Sequence, residues 1–166
     1  MSTLEQARAV AASVVDPELP MLTLHDLGVL REVALDDDGA VVVAITPTYS
    51  GCPAMATMRD DLVRTLRDAG FGDARVRVTL DPAWTTDWIT PEGRAALTEA
   101  GISPPGPAPR REESVTLQLA PTRRSVRCPR CGADDVALTS EFGSTACKAM
   151  YRCRACLEPF DHVKEI

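Results

Sequence analysis

The stretch CPRCGADDVALTSEFGSTACKAMYRCRAC, residues 128–156, decides the fold of the last part of the chain. Cys128 and Cys131 are separated by two residues, 21 residues follow, and Cys153 and Cys156 repeat the same spacing. Two residues between thiolates allow a tight turn to bring both sulfurs to one side of the backbone, and two such knuckles complete a tetrahedron. The stretch therefore predicts a four-cysteine zinc ribbon over residues 126–166.

Four sulfur ligands leave no open position for water, so the predicted Zn²⁺ site is structural. A segment of about 40 residues cannot bury enough apolar surface to fold alone. Metal binding, worth roughly 10–16 kcal/mol in zinc-finger peptides, can supply the deficit. A rubredoxin-like iron site and chance spacing are the competing interpretations. Cys147 shares a strand face with Cys153 if both lie in one strand. It is either a small buried residue, a residue that supports the metal ligands without binding the ion, or a transient iron ligand.

Charge is distributed unevenly along the 166 residues. Residues 1–109 contain 8 basic and 16 acidic residues, and residues 110–166 contain 10 basic and 8 acidic residues. This change in composition indicates two units. Six arginines in and before the ribbon suggest nucleic-acid binding as an alternative. The net charge of −6 and the scarcity of aromatic residues weigh against it, so we expect no nucleic-acid partner. These arginines are Arg123, Arg124, Arg127, Arg130, Arg152 and Arg154.

The chain contains no apolar run of the 18 or more residues that a membrane helix requires. Its first residues, MSTLEQARAV, lack the basic and apolar regions of a signal peptide. We therefore expect a cytoplasmic protein without membrane association. Because thiols are normally reduced in that compartment, six cysteines indicate metal binding or reactivity rather than disulfides.

The residues before the ribbon are expected to form an α+β domain, a small mixed sheet packed with helices, over 1–100. Apolar periodicity predicts helices over 3–15, 53–69 and 91–100, and strands over 29–35, 40–46 and 74–80. Residues 101–125 are rich in proline and predict a linker or an extended surface arm. One further strand is considered over 115–119.

Cys52 follows a predicted strand and precedes the helix predicted over 53–69. With Pro53 at the first helical position, Cys52 is predicted to be the N-cap, where the helix dipole stabilises a thiolate. Such a thiolate suits nucleophilic attack, persulfide transfer or metal binding; the alternative is a small residue at a tight turn. A Cys-His hydrolase would need a base, and no motif connects His25, the only histidine of this domain, to Cys52.

Three acidic residues, Asp16, Glu18 and Asp26, lie in loops near the predicted sheet. Acidic loop residues are commonly just solvated. The alternative is that these carboxylates help to hold a metal beside Cys52, since carboxylates suit hard and borderline metals.

Three short motifs occur in a characteristic order, namely DPELP (16–20), DLGVL (26–30) and GCP (51–53). Together they resemble the DUF59 (MIP18-like) family over roughly residues 5–100. The resemblance implies a small α+β fold, a role in iron–sulfur cluster assembly, and Cys52 as the functional cysteine. With the ribbon, DPAWTTDWI (81–89) extends the resemblance to members that accompany a bacterial phenylacetyl-CoA epoxidase in aerobic phenylacetate catabolism.

The oxygenase in such a system is a di-iron protein, and a separate reductase carries flavin and a [2Fe–2S] cluster. This chain has no Glu-x-x-His pair, no Gly-rich dinucleotide loop and no ferredoxin-type cysteine cluster. The resemblance therefore implies an accessory factor that delivers or repairs iron or an iron–sulfur cluster in those partners. Cys52 would be the handling thiol and the ribbon a docking surface. Two alternative functions stay open: a general cluster-assembly factor and a structural subunit without metal chemistry. The oligomeric state also stays open, with a homodimer as one possibility.

Overall fold

The computed structural model describes residues 3–109 and 125–166, which divide into two compact units. The first unit contains the residues up to 84 together with 88–96; the second contains 85–87 together with the residues from 97 onward. The strand considered over 115–119, and both Arg123 and Arg124, lie outside the described residues. Within the described ranges, no helix is long and apolar enough to cross a bilayer.

The first unit contains a three-stranded mixed sheet in the order β1-β2-β3. Strand β1 (Leu30–Leu35) runs antiparallel to β2 (Val41–Ile45), and β3 (Ala74–Val78) runs parallel to β2. The central strand, VVVAI, is buried at four of its five positions because it has a neighbour on each side and a helical layer to pack against.

Two helices contact this sheet among the described residues, α1 (Thr3–Ala12) and α2 (Met55–Asp68), and a further helix, α3 (Pro91–Glu99), follows later in the chain. Helix α2 buries Met58, Leu62 and Leu66, which recur at helical spacing, and contacts β3, while α1 contacts β1 and β2. The predicted α+β class is therefore confirmed. Helix α1 ends three residues before the predicted limit at 15, because the N–H groups of Ser13 and Val14 bond to the carbonyls three residues back, of Val10 and Ala11, instead of four residues back.

Two residues of the DLGVL motif, Leu27 and Gly28, pack against the two tryptophans of the first unit. Gly28 has a φ of +75°, and a Cβ placed there would lie 2.5 Å from Cβ of Trp88. The indole N–H of Trp84 donates to the carbonyl of Leu27 at 3.0 Å. Only glycine can provide both the left-handed backbone and the close approach, so this motif has a packing role.

The second unit contains an antiparallel sheet in the order β4-β5-β6. Its strands are β4 (Val136–Ser140), β5 (Lys148–Cys153) and β6 (Pro159–Val163). The buried apolar core is small and includes two of the four motif cysteines, so the sulfurs and the core share one space. Its buried members are Val126, Cys128, Ala149, Tyr151, Cys153 and Phe160.

A short piece of the proline-rich segment adds to this sheet. Ser103 pairs in parallel with His162, its N–H donates to the carbonyl of Asp161 at 2.8 Å, and its own carbonyl accepts the N–H of Val163 at 3.0 Å. This part of the segment predicted as linker is thus hydrogen-bonded to β6. The domain limits 1–100, 101–125 and 126–166 stay predictions.

Side chains reinforce the same attachment. The fully buried ring of His162 places Nδ1 3.1 Å from Oγ of Ser103 and Nε2 3.1 Å from Oε1 of Glu165. The N–H of Gly106 donates to that same carboxylate oxygen at 3.0 Å. Burial raises the pKa of Glu165, but the hydrogen bonds from His162 and Gly106 outweigh it and lower the pKa to about 2.

Glu165→Gln is expected to destabilise the second unit at neutral pH by removing this carboxylate. A depressed pKa stabilises the fold above the unfolded-state value, so the contribution is complete above about pH 4.5 and disappears as the pH falls toward about 2. Denaturant unfolding of wild type and variant between pH 7 and pH 3.5 checks this. The difference in unfolding free energy should narrow below about pH 4.5; a difference independent of pH would contradict the assignment.

Candidate functional site

The four motif cysteines come together in the second unit as predicted. Their sulfur atoms all lie within 4.8 Å of one another, and they are the only group of three or more potential His, Cys, Asp or Glu ligands among the described residues. Cys128 and Cys153 are buried, whereas Cys131 and Cys156 are exposed. The cluster therefore lies at the edge of the small core, with one side toward solvent.

The spacing of the sulfurs fits one tetrahedral metal. Sγ of Cys128 lies 3.7 Å from Sγ of Cys156, and Sγ of Cys131 lies 3.6 Å from Sγ of Cys153. A tetrahedron with metal–sulfur bonds of about 2.3 Å has edges of about 3.8 Å. A disulfide would require about 2.05 Å. The donors thus fit a single thiolate-preferring ion such as Zn²⁺, and the pairing is not a disulfide.

Both knuckles use a left-handed residue directly after their second cysteine. In the first knuckle Gly132 has a φ of +76°, and its N–H donates to the carbonyl of Cys128 at 2.9 Å. In the second knuckle Leu157 occupies the equivalent position with a φ of +65°. A β-carbon is disfavoured in this region, so the second turn is maintained by the surrounding fold and the ligands rather than by local preference.

The ionisation of the thiols also favours a cation. The N–H of Cys156 donates to Sγ of Cys153 and is the main cause that lowers the pKa of Cys153 to about 7. A backbone hydrogen bond from Glu158 lowers the pKa of Cys156, but burial and the neighbouring cysteines together raise it to about 12. Sulfurs this close do not all release their protons unless a positive ion compensates the charge.

Cys147 lies outside this group. It precedes β5, is half-buried, and its sulfur is 3.1 Å from Oγ1 of Thr145. Its backbone carbonyl accepts the N–H of Lys164 at 2.9 Å. The structure thus places Cys147 in a hydrogen-bonded turn beside the sheet, and a role toward iron stays a prediction.

Three arginines of the ribbon have local partners. Arg130 lies 3.2 Å from Glu158 and Arg154 lies 3.5 Å from Asp135, while Nε of Arg152 donates to the carbonyl of Leu157 at 3.3 Å. All three side chains are exposed, and surface ion pairs of this kind contribute little to stability. Part of the basic character of the ribbon is thus neutralised by its own acidic groups.

Cys52 lies in the loop between β2 and α2 and is half-buried. The prediction that it is the N-cap is wrong: α2 begins at Met55, and its N-cap is Ala54, which makes no side-chain capping bond. The reason is a turn in front of the helix, in which the N–H of Met55 reaches the carbonyl of Cys52 at 3.4 Å. Cys52 therefore lies two residues before the N-cap, where the helix dipole acts on it less strongly.

Two of the three predicted acidic partners of Cys52, Asp16 and Asp26, accept hydrogen bonds from other groups, and the role of all three toward a metal stays a prediction. Asp16 is buried, and its Oδ1 accepts the backbone N–H groups of Glu18 and Leu19, each at 2.8 Å. Asp26 accepts the hydroxyls of Thr23 at 2.7 Å and Thr90 at 3.2 Å. These bonds hold loops together. In the part of the chain that the structure describes, no group of three potential ligands includes Cys52.

One polar group that the sequence did not indicate lies at the start of the same loop. Thr46 is buried, and its Oγ1 has no hydrogen-bond partner among the described atoms. Buried hydroxyls are nearly always paired, so an exception suggests a strained or functional region. A threonine after a β-branched strand carries no sequence signal for such a role.

Comparison with known proteins assigns the two halves separately. Residues 4–83 match the family described as "Iron-sulfur cluster assembly protein", and residues 112–164 match the "PaaD zinc beta ribbon domain". The solved structure of a domain of unknown function, DUF59, from Bacillus anthracis aligns with a TM-score of 0.52 at 25% identity, covering 57% of this chain and 90% of that one.

Two relatives differ in how much of the chain they match. A protein of Escherichia coli K12, provisionally named as the D component of 1,2-phenylacetyl-CoA epoxidase, is 47% identical over 156 residues, covering 94% of this chain and 89% of the relative. The Fe-S protein maturation auxiliary factor YitW of Bacillus subtilis is 33% identical over 98 residues, covering 58% of this chain and 88% of the relative.

Proposed function

The chain belongs to the PaaD family of phenylacetyl-CoA epoxidase components, which join an iron–sulfur cluster assembly (DUF59, MIP18-like) domain to a PaaD zinc ribbon. On this premise we propose that it is an accessory protein of such an epoxidase. In this role it assists the loading or repair of iron, or of an iron–sulfur cluster, in the oxygenase or reductase partner. The observation that supports it most is the 47% identity across 94% of the chain, extending through both units.

The proposed acting group is the thiol of Cys52. It is the one cysteine of the first unit, the unit that matches the iron–sulfur assembly family, and it is half-buried in the loop that leaves the central strand. A half-buried thiol can reach an incoming ion or cluster while its surroundings restrict water. Iron is here cargo that is passed on, not a resident cofactor.

The ribbon is proposed to hold one structural Zn²⁺ and to dock the partner. Several large apolar side chains on it are exposed, with Phe142 at 70%, Leu157 at 60% and Leu138 at 46%. Exposed apolar groups are a usual component of protein interaction surfaces. Four protein thiolates complete the coordination, so the ion has no position for substrate.

A Cys52→Ser strain tests the role of the thiol. We expect the iron content of the epoxidase partners, and with it phenylacetate-dependent oxygenase activity, to fall roughly tenfold or more, because serine neither binds iron strongly nor carries a persulfide. Iron in the purified oxygenase and reductase is measured directly. The matched control is Ser50→Ala, which changes an exposed residue of the same loop and should leave both quantities near wild type.

Two other results would redirect the assignment. Full iron content in the Cys52→Ser strain, together with a defect in a deletion strain, would favour a structural subunit without metal chemistry. A general loss of iron–sulfur enzymes beyond the epoxidase would favour a general assembly factor, an alternative supported by the similarity to YitW. In either case we propose that the protein acts in the cytoplasm, where thiols stay reduced.

A further inference from the structure

The first unit contains a cavity of about 350 Å³ that has no part in the function proposed above. It opens between α1, the loop that precedes β1, and β1 itself. Three nitrogen-bearing side chains line it, Arg8 from the helix, His25 from the loop and Arg31 from the strand. This volume is within the range of small-molecule sites.

Both guanidinium groups are held in position by contacts that leave their charge unneutralised. Nε of Arg8 donates to the carbonyl of Val33 at 3.3 Å. The guanidinium of Arg31 lies 3.6 Å from the ring centroid of Trp88, and one of its nitrogens is 3.5 Å from the carbonyl of Gly28. No carboxylate pairs with either arginine among residues 3–109 and 125–166.

The one acidic side chain at the cavity is already paired. The carboxylate of Glu32 accepts a hydrogen bond from Arg77, which lies on another strand of the sheet and is not part of the cavity lining. The cavity thus has two unpaired cations and an imidazole in a region where residues 1–109 carry twice as many acidic as basic residues. An anion that entered would be attracted by both guanidinium groups.

The rest of the lining is apolar, with Ala12, Leu30 and Val33 as its members. Val33 is buried, and the other two side chains are partly exposed. Apolar walls beside a few converging polar groups are typical of sites that orient an amphipathic ligand. A bare inorganic ion would use the cations but not these walls.

We propose that this cavity binds a small organic anion, a carboxylate or phosphate monoester attached to an apolar body. The anionic group contacts Arg8 and Arg31, His25 flanks it, and the apolar body lies against Ala12, Leu30 and Val33. The proposal rests on the first unit alone and does not depend on Cys52 or on the metal of the ribbon.

NMR titration of the full-length, metal-loaded protein tests the site with hexanoate, hexyl phosphate, acetate and neutral hexanamide. We expect saturable shifts of the amides of residues 8–12, 25 and 30–33 with the two amphipathic anions. Acetate should bind roughly tenfold more weakly because it leaves the apolar wall uncovered. Hexanamide should produce no saturable shift. A preference between hexanoate and hexyl phosphate identifies the anionic group.

Arg8→Gln and Arg31→Gln should each weaken hexanoate binding roughly tenfold. Arg64→Gln is the matched control, since Arg64 lies on α2, pairs with Asp61 and does not line the cavity. Because Arg31→Gln could loosen the packing on Trp88, Ala12→Glu provides a second test by tethering a carboxylate inside the cavity, and should abolish binding. Absence of saturable shifts, equal binding of hexanamide, or unchanged affinity in folded Arg8→Gln would overturn the proposal.

Discussion

Replacing Cys153 with serine is expected to abolish metal binding and to unfold the ribbon, residues 126–166, while the first unit stays folded. Cys153 is fully buried in the core of the second unit, and its sulfur lies 3.6 Å from that of Cys131. Metal binding contributes roughly 10–16 kcal/mol in small zinc modules. Because a whole domain is stable by only about 5–15 kcal/mol, no other contact in this small core can replace it.

Metal analysis and two-dimensional NMR check this expectation. The wild type should contain one zinc per chain, and a chelator should produce the same loss of dispersed ribbon resonances as the variant. Both tryptophans of the chain, Trp84 and Trp88, lie in the first unit, so unchanged fluorescence shows that this unit has stayed folded. Cys147→Ser is the matched control and should retain the metal.

Two results would contradict the zinc assignment in different ways. A ribbon that stays folded in Cys153→Ser, with no bound metal in the wild type, would mean that the four thiols are held by packing alone. If the wild type contained one iron per chain and no zinc, the tetrahedral site would be correct and the identity of its ion wrong, since both metals accept four thiolates.

The four-cysteine site was predictable because its information is local. The spacing Cys-x-x-Cys fixes a knuckle whatever surrounds it, and two knuckles need only a spacer long enough for β4 and β5. Helix α2 was predictable for a similar reason, since Met58, Leu62 and Leu66 recur at helical spacing and form one buried face.

The features that the sequence did not reveal depend on contacts between distant residues. Ser103 and His162 are 59 residues apart, and nothing in either neighbourhood indicates their pairing. Alternation along β6 places His162 on the same side as Phe160, which was the one available sign that this histidine is buried. A proline-rich composition suggested a linker and concealed the short parallel pairing at Ser103.

Two residues of the motif DLGVL make contacts that the sequence does not reveal. Asp26 accepts the hydroxyls of Thr23 and Thr90, and its predicted role toward a metal stays a prediction. Gly28 carries no functional group and could not be assigned a role from its type. Its importance appears only when Trp88, 60 residues later in the chain, is placed against it.

Gly28→Ala is accordingly expected to destabilise the first unit by about 2–5 kcal/mol. Two costs add at this position. The φ of +75° disfavours any β-carbon, and the new methyl would lie 2.5 Å from Cβ and 2.7 Å from the carbonyl oxygen of Trp88. Backbone cannot move aside as a flexible side chain can, so the Trp84–Trp88 segment must shift as a whole and lose the bond from Trp84 to Leu27.

Gly39→Ala separates these two costs. Gly39 also has a positive φ, +82°, but a Cβ there would have nothing within 4 Å, so only the backbone penalty of about 1–2 kcal/mol applies. Urea unfolding followed by tryptophan fluorescence measures both variants in the same unit. If the two substitutions cost the same, the close approach of Trp88 to Gly28 contributes nothing; a larger loss in Gly28→Ala, with a changed emission maximum, assigns the difference to that contact.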